Sequence, residues 1–555
     1  MPQKPIYRRA PVIPLRHCFP AAGTVRTNDE RLFRLYRNAN QYADQPCVWE
    51  GLFRIACLIT SKPENEPVAA CIINAGSDSE NGSFPGNFTG QVHTARALFA
   101  LFEYNTDRVI LRRIAEWLRY VEIEFDAVTS HDSVLYQPAD LMELLVRFYL
   151  VTGSKTALRL CIKLRAGAFD WTTALHTFQQ SIPIHMTGKD EEYCIPAVNP
   201  EEMDFAQKEK LINHAELLAD GVRYTLFSGL FSGHGQDLSS GKAVWDYLLK
   251  HHHALCGGTT GTPFLSGNAP DRPVSNRVLC AWAEAFAAQM IPEDCSWATE
   301  ELIRIVYNGL DECLNHEELS SVQRINSIDE QPYPPDDPAG FYARLTRAEA
   351  ALFSHAVALN ENGFRLNYLL PARYMIMSRN RPLVIRMDGE SAVFQCKNPV
   401  SAYTELFMPN SGTCSMKISR QDQDPVRLKY EERKEGSSLT RTDTEWNDQD
   451  RIVFEPGNHV CCEHTHHQGM AFLMLNRLLC LPATEKDFCV AVKENPVISE
   501  KTITVSVARA ESWQIRNNQP ADIPVMPETK GERAEREMMF YSSCRNRIAM
   551  FPRSR

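Results

Sequence analysis

From about residue 30 to residue 361, apolar positions recur at three- and four-residue intervals, the spacing that lines one face of a helix. The stretch TARALFALFEY (94–104) and the following DRVILRRIAEWLRYVEIEF (107–125) read as two helices joined by a short polar turn. The same pairing returns in DLMELLVRFYLVTG (140–153) with KTALRLCIKLRAGAF (155–169). It returns again in LINHAELLADGVRYTLFSGLF (211–231) with GKAVWDYLLKHHHAL (241–255), and in RVLCAWAEAFAAQMI (277–291) with ATEELIRIVYNGLDECL (298–314). Helix pairs repeating at roughly 50 to 60 residues mean stacked hairpins, either an open solenoid or a closed toroid. The Gly-rich, aromatic loops NGSFPGNFTG (81–90) and CGGTTGTPFLSGNAP (256–270) favour closure, because a toroid gathers such loops at one mouth. The expectation is an (α/α)6 barrel over residues 31–361, preceded by an N-terminal extension, residues 1–30.

Beyond residue 362 the period changes to two. GFRLNYLLPARYMI, RPLVIRMDG, SAVFQCK, CSMKISR, RIVFEPG and TITVSVARA are short, alternating and punctuated by Gly, Pro, Asn and Asp. They predict an antiparallel β-sandwich over 362–525. Residues 526–555, rich in Glu, Arg and Lys, read as a peripheral tail. The fold class expected is mainly α with a β domain, the two sharing a packed interface.

Composition changes this picture only by exclusion. A 555-residue chain with 44% hydrophobic and 23% charged residues carries ample material for a large core. A net charge of −10 lacks the basic face that nucleic acid requires. Prolines and arginines interrupt the first twenty residues, so no secretory h-region forms, and no run of about 18 apolar residues offers a membrane span. A cytoplasmic protein is expected. Seventeen cysteines, mostly single within apolar runs (Cys57, Cys71, Cys161, Cys280, Cys480), read as reduced core residues. Homo-oligomerisation stays open.

The chain has no GxSxG, P-loop, HExxH or CxxC motif, which leaves polar residues at helix starts beside the Gly-rich loops. Trp49 and Glu50 open the helix CVWEGLFRIACLI, where a tryptophan can stack on a sugar face and a carboxylate can take a proton. A half-buried Trp with a first-turn Glu complementing the helix dipole reads the same way. Gln91 and His93 follow GNFTG; Tyr136, Gln137 and Asp140 precede LMELLVRFYLV, where Asp140 serves equally well as a cap. His214 lies inside an apolar stretch. His251, His252 and His253 are consecutive and splay by 100° on a helix, so at most one faces a site. Asp336 and Asp337 sit in the proline-rigid loop QPYPPDDPAGF, as a carboxylate pair for acid–base or nucleophilic work, or as turn formers with one capping the next helix. Cys461, Cys462, His464, His466 and His467 resemble a metal cluster in composition, but their spacing fits no standard zinc pattern.

Taken in order, these pieces resemble glycoside hydrolase family 127, the β-L-arabinofuranosidases and their relatives. DLMELLVRFYLVTG is similar to the family's GHL-IEAAVAYYEATG helix, with Asp140 where the family has histidine. NHAELLADG (213–221) puts His214 on a substrate-pocket histidine, and GGTTG (257–261) is similar to TGGIG. VLCAWAEAF with IVYNGL resembles the ETCA helix and its YN partner, and residues 335–372 resemble the C-C-P-P-N loop with its helix and strand. EWNDQDRIVFE (445–455) resembles the family's W-x-x-G-D strand. The resemblance implies a helical barrel with a β-sandwich, and a zinc held by Cys and Glu with one cysteine as nucleophile. This sequence departs there: Asp336 and Asp337 replace the adjacent cysteines, E-T-C becomes Val278-Leu279-Cys280, and the acid/base glutamate has no counterpart in TPFLSGNAPDRP. One thiolate does not make a zinc site.

The function expected is therefore hydrolysis of a short oligosaccharide by carboxylates, with no metal and no cofactor. Asp336 or Asp337 would act as nucleophile or base, and Asp140 or Glu50 as the partner acid. Trp49, His93, Gln137, His214 and Cys280 would contact the sugar. The alternatives are a non-catalytic sugar-binding relative and, by fold analogy, a polysaccharide lyase.

Overall fold

The computed structural model describes residues 19–552 except 21, 78–81, 131, 182–199, 270–271, 293–294, 316–318, 328–331, 361–362, 409–414, 421–422, 428–430, 433–437, 456–459, 465–468, 475–476, 484–489, 493–495, 499–501, 510–513, 516–523, 526–533 and 545. Six helices form a closed cycle of neighbours: α1 (Pro46–Ile59), α2 (Phe88–Asn105), α3 (Ala139–Thr152), α4 (Ala215–Ser232), α5 (Asn276–Gln289) and α6 (Pro338–His355), with α6 returning to α1. A second set packs outside them, among them Glu30–Ala39, Arg108–Thr129, Lys155–Gly167, Gly235–His251 and Ser296–Arg304.

The two sets differ in sequence for a physical reason. Arg108–Thr129 buries a single stripe (Ile110, Ile114, Trp117, Leu118, Val121, Phe125) and shows charge to solvent on its other face. In α4 every residue from Ala215 to Leu230 is buried, so most are small or apolar and the charged ones must find partners inside the protein. Gly51 sets the closest crossing: a Cβ there would stand 2.1 Å from Thr346 Oγ1 and 2.8 Å from Arg347 N, so α1 and α6 meet backbone to backbone. Helix ends follow capping chemistry. Asn87 accepts from Gly90 N at the start of α2, and Gly153, with φ of +71°, closes α3 in the left-handed conformation.

The stretch 211–231, read as one helix, is broken. The outer helix Phe205–Asn213 ends and α4 begins at Ala215, with His214 extended between them (φ −74°, ψ 111°) as the N-cap of α4. Apolar periodicity runs through both pieces and conceals the break.

A seven-stranded sheet runs in the order Val25–Arg26, Ala372–Ser378, Arg381–Met387, Ser391–Gln395, Arg451–Glu455, Ser415–Arg420, Gln423–Arg427. A five-stranded sheet follows the order Glu431–Glu432, Ser438–Trp446, Val400–Met408, Gly363–Leu366, Val357–Leu359. All pairs in these sheets are antiparallel except Gly363–Leu366 with Val400–Met408, which is parallel. Their shared core includes Trp446 stacked on Phe394 at 3.9 Å and the buried Tyr374. A third, ten-stranded sheet gathers strands from Cys461–His464 onward together with Asn326–Ser327.

Two sequence expectations change here. The N-terminal extension is not separate, because Val25–Arg26 pairs with Arg373–Tyr374 as an edge of the first sheet. The tail is not peripheral either. Ala534–Phe540 lies between Arg477–Pro482 and Ile503–Arg509, and Arg547 is fully buried against Glu312 of the helical part at 3.2 Å. Its charged composition misled because Glu535 and Glu537 face solvent from a strand whose Met538 points into the core. Helix and sheet are joined at Ile305–Gly309, a π-turn in which Asn308 Oδ1 accepts from Leu478 N (2.7 Å) and Tyr307 donates to Leu369 O (2.9 Å).

Candidate functional site

Each inner helix carries charged residues at three-, four- or seven-residue spacing on the face turned to the ring axis. They are Glu50/Arg54, Arg96/Glu103, Asp140/Glu143/Arg147, Glu216/Asp220/Arg223, Arg277/Glu284 and Arg344/Arg347. Together they make one continuous lattice. Arg96 Nε meets Glu50 at 2.7 Å, while its Nη1 reaches Glu143 at 3.2 Å and Asp140 at 3.3 Å. Arg347 bridges Glu284 (2.8 Å) and Asp140 (3.2 Å); Arg223 bridges Asp140, Asp220 (3.1 Å), Glu143 (3.2 Å) and Glu284 (3.3 Å). Arg344 ties Glu216 (3.1 Å) and Glu284 (2.8 Å) to Asp220, and Arg277 links Glu216 (3.4 Å) with Asp337 (3.3 Å). At the other end Arg54 joins Glu50 (3.0 Å) to Glu103 (2.8 Å), and Arg147 joins Glu143 (3.1 Å) to Glu103.

The lattice fixes protonation. Burial alone would raise the Asp140 pKa, but Arg347, Arg96 and Arg223 outweigh it and hold the carboxyl well below the usual range. Glu50 is likewise held far down by Arg96 and Arg54 against its burial, and Glu216 is lowered to about 2 by Arg277 and Arg344. The histidines are neutral for the opposite reason. Desolvation lowers His93 to about 4 although Asp140 stands 3.9 Å away, and lowers His214 to about 4 although Glu216 is near.

The sequence candidates divide accordingly. Asp140, His93, Glu50 and Asp337 all join the lattice. Asp140 and Glu50, expected as proton donors, are paired with arginines that hold both carboxyls below the usual range. Asp337 is the N-cap of α6, accepting from Gly340 N at 3.0 Å, and remains exposed at the rim beside the exposed Asp336. His214 caps α4 through Nδ1, which accepts from Leu217 N at 3.3 Å, and packs on Phe264. Trp49 is buried, its indole N–H donating to Ala43 O at 2.7 Å, so it offers no open face for a sugar. Gln137 is half-buried at the start of α3. Cys280 is fully buried in α5 packing and drops out as a sugar contact.

Gln91 turns outward, accepting from Trp117 Nε1 at 3.0 Å, and Tyr136 is buried with its carbonyl accepting from Trp171 Nε1 at 3.1 Å. His252 and His253 are spent on Gln180 O and Glu301. His466 and His467, and the side chains of Cys461 and His464, lie outside the described residues.

The described cavity lies at the opposite end of the ring, within the last turns of the six helices, with a volume of about 250 Å³. Of the candidates only Glu50 reaches it; Asp140, His214, Asp336 and Asp337 do not line it. These candidates therefore do not together surround this cavity.

No family model matches the chain, and no curated protein matches its sequence. Solved structures do match it. A protein described as a glycoside hydrolase superimposes with a TM-score of 0.69 at 12% identity, covering 98% of each chain. A GH127 β-L-arabinofuranosidase from Geobacillus stearothermophilus T6 gives a TM-score of 0.64 at 13% identity, covering 95% of this chain and 94% of its own. A second GH127 β-arabinofuranosidase gives 0.64 at 12% identity, covering 99% of each. The fold is GH127-like.

In this GH127-like chain Cys280, Asp336 and Asp337 stand where the sequence resemblance puts the family's thiolates. Burial pushes the Cys280 thiol well above its ordinary value, with Cys313 adding to the effect. Asp337 spends its side chain on Gly340 N and Arg277. Among the described residues no group of three or more His, Cys, Asp or Glu side chains is placed to hold a metal ion. The GH127-like ring is instead organised by arginine. The sequence signal for this was present, as charges at i, i+3, i+4 and i+7 inside helices otherwise too apolar to face water.

Proposed function

We propose that the chain is a carbohydrate-active enzyme of the glycoside hydrolase kind, and that its helical ring is an (α/α)6 barrel whose N-terminal rim receives a short oligosaccharide. The observation that carries this reading is the correspondence of the whole chain, helices and sheets together, with glycoside hydrolases of known structure. In this reading the chemistry is metal-independent and rests on Asp336 and Asp337, the exposed carboxylates of the rim. One acts as nucleophile or base and the other as its acid partner. Glu50 and Asp140 anchor the arginines beneath, and the neutral His93 and His214 hydrogen-bond sugar hydroxyls.

The test is turnover of a panel of aryl glycosides and oligosaccharides, β-L-arabinofuranosides included. Asp336→Asn and Asp337→Asn are expected to lower kcat by about a hundredfold or more. Wild-type rates in both variants would end the proposed roles.

One observation favours a second reading, a sugar-binding protein without catalysis: arginines hold both Glu50 and Asp140 ionised, so neither is poised to donate a proton. Calorimetric binding of a sugar by a chain that turns over no member of the panel would decide for it.

A further inference from the structure

We propose that the closed end of the ring is a second, separate binding site, for a small amphipathic carboxylate. The cavity there has apolar walls from Phe99, Phe102, Leu150, Phe227, Leu230 and Ile291. Its volume, about 250 Å³, falls just below the range of pockets that take drug-sized ligands, so it suits a short aliphatic or single-ring molecule. Phe19, Pro20, Ala22 and Gly23 also line it, with the Phe19 ring centroid 3.6 Å from that of His355.

The floor is polar and its charge is uneven. Arginines outnumber glutamates by five to four along its lining, and the most accessible charged side chains are Arg147 (28% exposed), Glu103 (23%) and Arg54 (20%). Glu103 accepts from both arginines, which places their guanidinium groups side by side facing the hollow. A carboxylate entering from the apolar side finds planar donors that match its geometry. The carbonyl ends of six helices oppose an anion here, but that potential decays within a turn, and Arg54 and Arg147 stand more than a turn inside their helix ends. His355, lowered to about 4 by its burial, adds no charge at neutral pH. Asp140, Arg344, Asp336 and Asp337 do not line this hollow, so the site is distinct from the rim carboxylates proposed above.

The test titrates octanoate and 4-phenylbutyrate into the full chain by calorimetry, with octanamide and octylamine as neutral and cationic counterparts. The carboxylates are expected to bind at least about tenfold more tightly than the amide and the amine. Leu230→Trp, which fills the hollow without touching the arginines, is expected to abolish the binding heat with an unchanged circular dichroism spectrum; Ala288→Phe serves if that variant fails to fold. Absence of heat from both carboxylates would show an empty packing defect and overturn the proposal. Equal affinity for the amide or amine, or full carboxylate binding in the filled variant, would overturn it as well.

Discussion

Arg96 touches Glu50, Asp140 and Glu143 at once, and with a side chain only 6% exposed it shields all three from the cost of burial. Removing it leaves excess negative charge without solvent, a loss of about 3 to 5 kcal/mol expected for Arg96→Ala in chemical denaturation. The double variant Arg96→Gln/Glu50→Gln should cost less than the sum of its parts, because each change relieves the other. Titration adds a signed expectation. Glu216 has a folded pKa of about 2, below its ordinary value, so the stability it contributes is present above about pH 4.5 and is lost as pH falls toward 2. His93 and His214, lowered to about 4, make folding favour the neutral rings, so stability also falls as pH drops from about 6.5 toward 4. Glu349 runs the other way. Burial raises it to about 8, so its protonated form is stabilising at low pH and the benefit is lost as pH rises toward 8. Glu349→Gln should flatten the alkaline arm of a Tm-against-pH curve while leaving the acid arm in place.

Among the helices, the α1–α6 crossing is the tightest contact described, and Gly51→Ala should destabilise by about 1 to 3 kcal/mol through overpacking, read as a lowered urea midpoint with unchanged slope. Asp337→Ala should cost about 1 kcal/mol as a lost cap, whereas Asp336→Ala should cost little. That difference separates a structural aspartate from a free one at the same rim. Helix positions and the switch to strands after residue 362 were legible in the sequence, because 3.6- and 2-residue periods survive whenever one face is buried. The break at His214 was not, since capping depends on one residue's backbone angles and the apolar pattern crosses it uninterrupted. Nor was the strand Ala534–Phe540, whose solvent face carries enough charge to mask a single buried row.

Across the molecule, the helical ring and the sheets are held by buried contacts such as Asn308 with Leu478 and Arg547 with Glu312. Asn308→Ala should therefore lower the cooperativity of thermal unfolding and split helical from β signals, monitored by circular dichroism at two wavelengths. The site was only half legible. Asp140, His93 and Asp337 were picked out as polar residues at helix starts. Their arginine partners, Arg96, Arg223, Arg277 and Arg347, lie on four separate helices, and no local spacing shows that these faces meet at one axis. The shared lattice has a consequence for how such a sequence changes over generations. Every carboxylate on the axis answers to several guanidinium groups, so a lone charge reversal is penalised at once, while matched exchanges on different helices pass almost unnoticed. Divergence in such an interior proceeds by compensating pairs, and sequences can drift far apart while the ring they build stays the same.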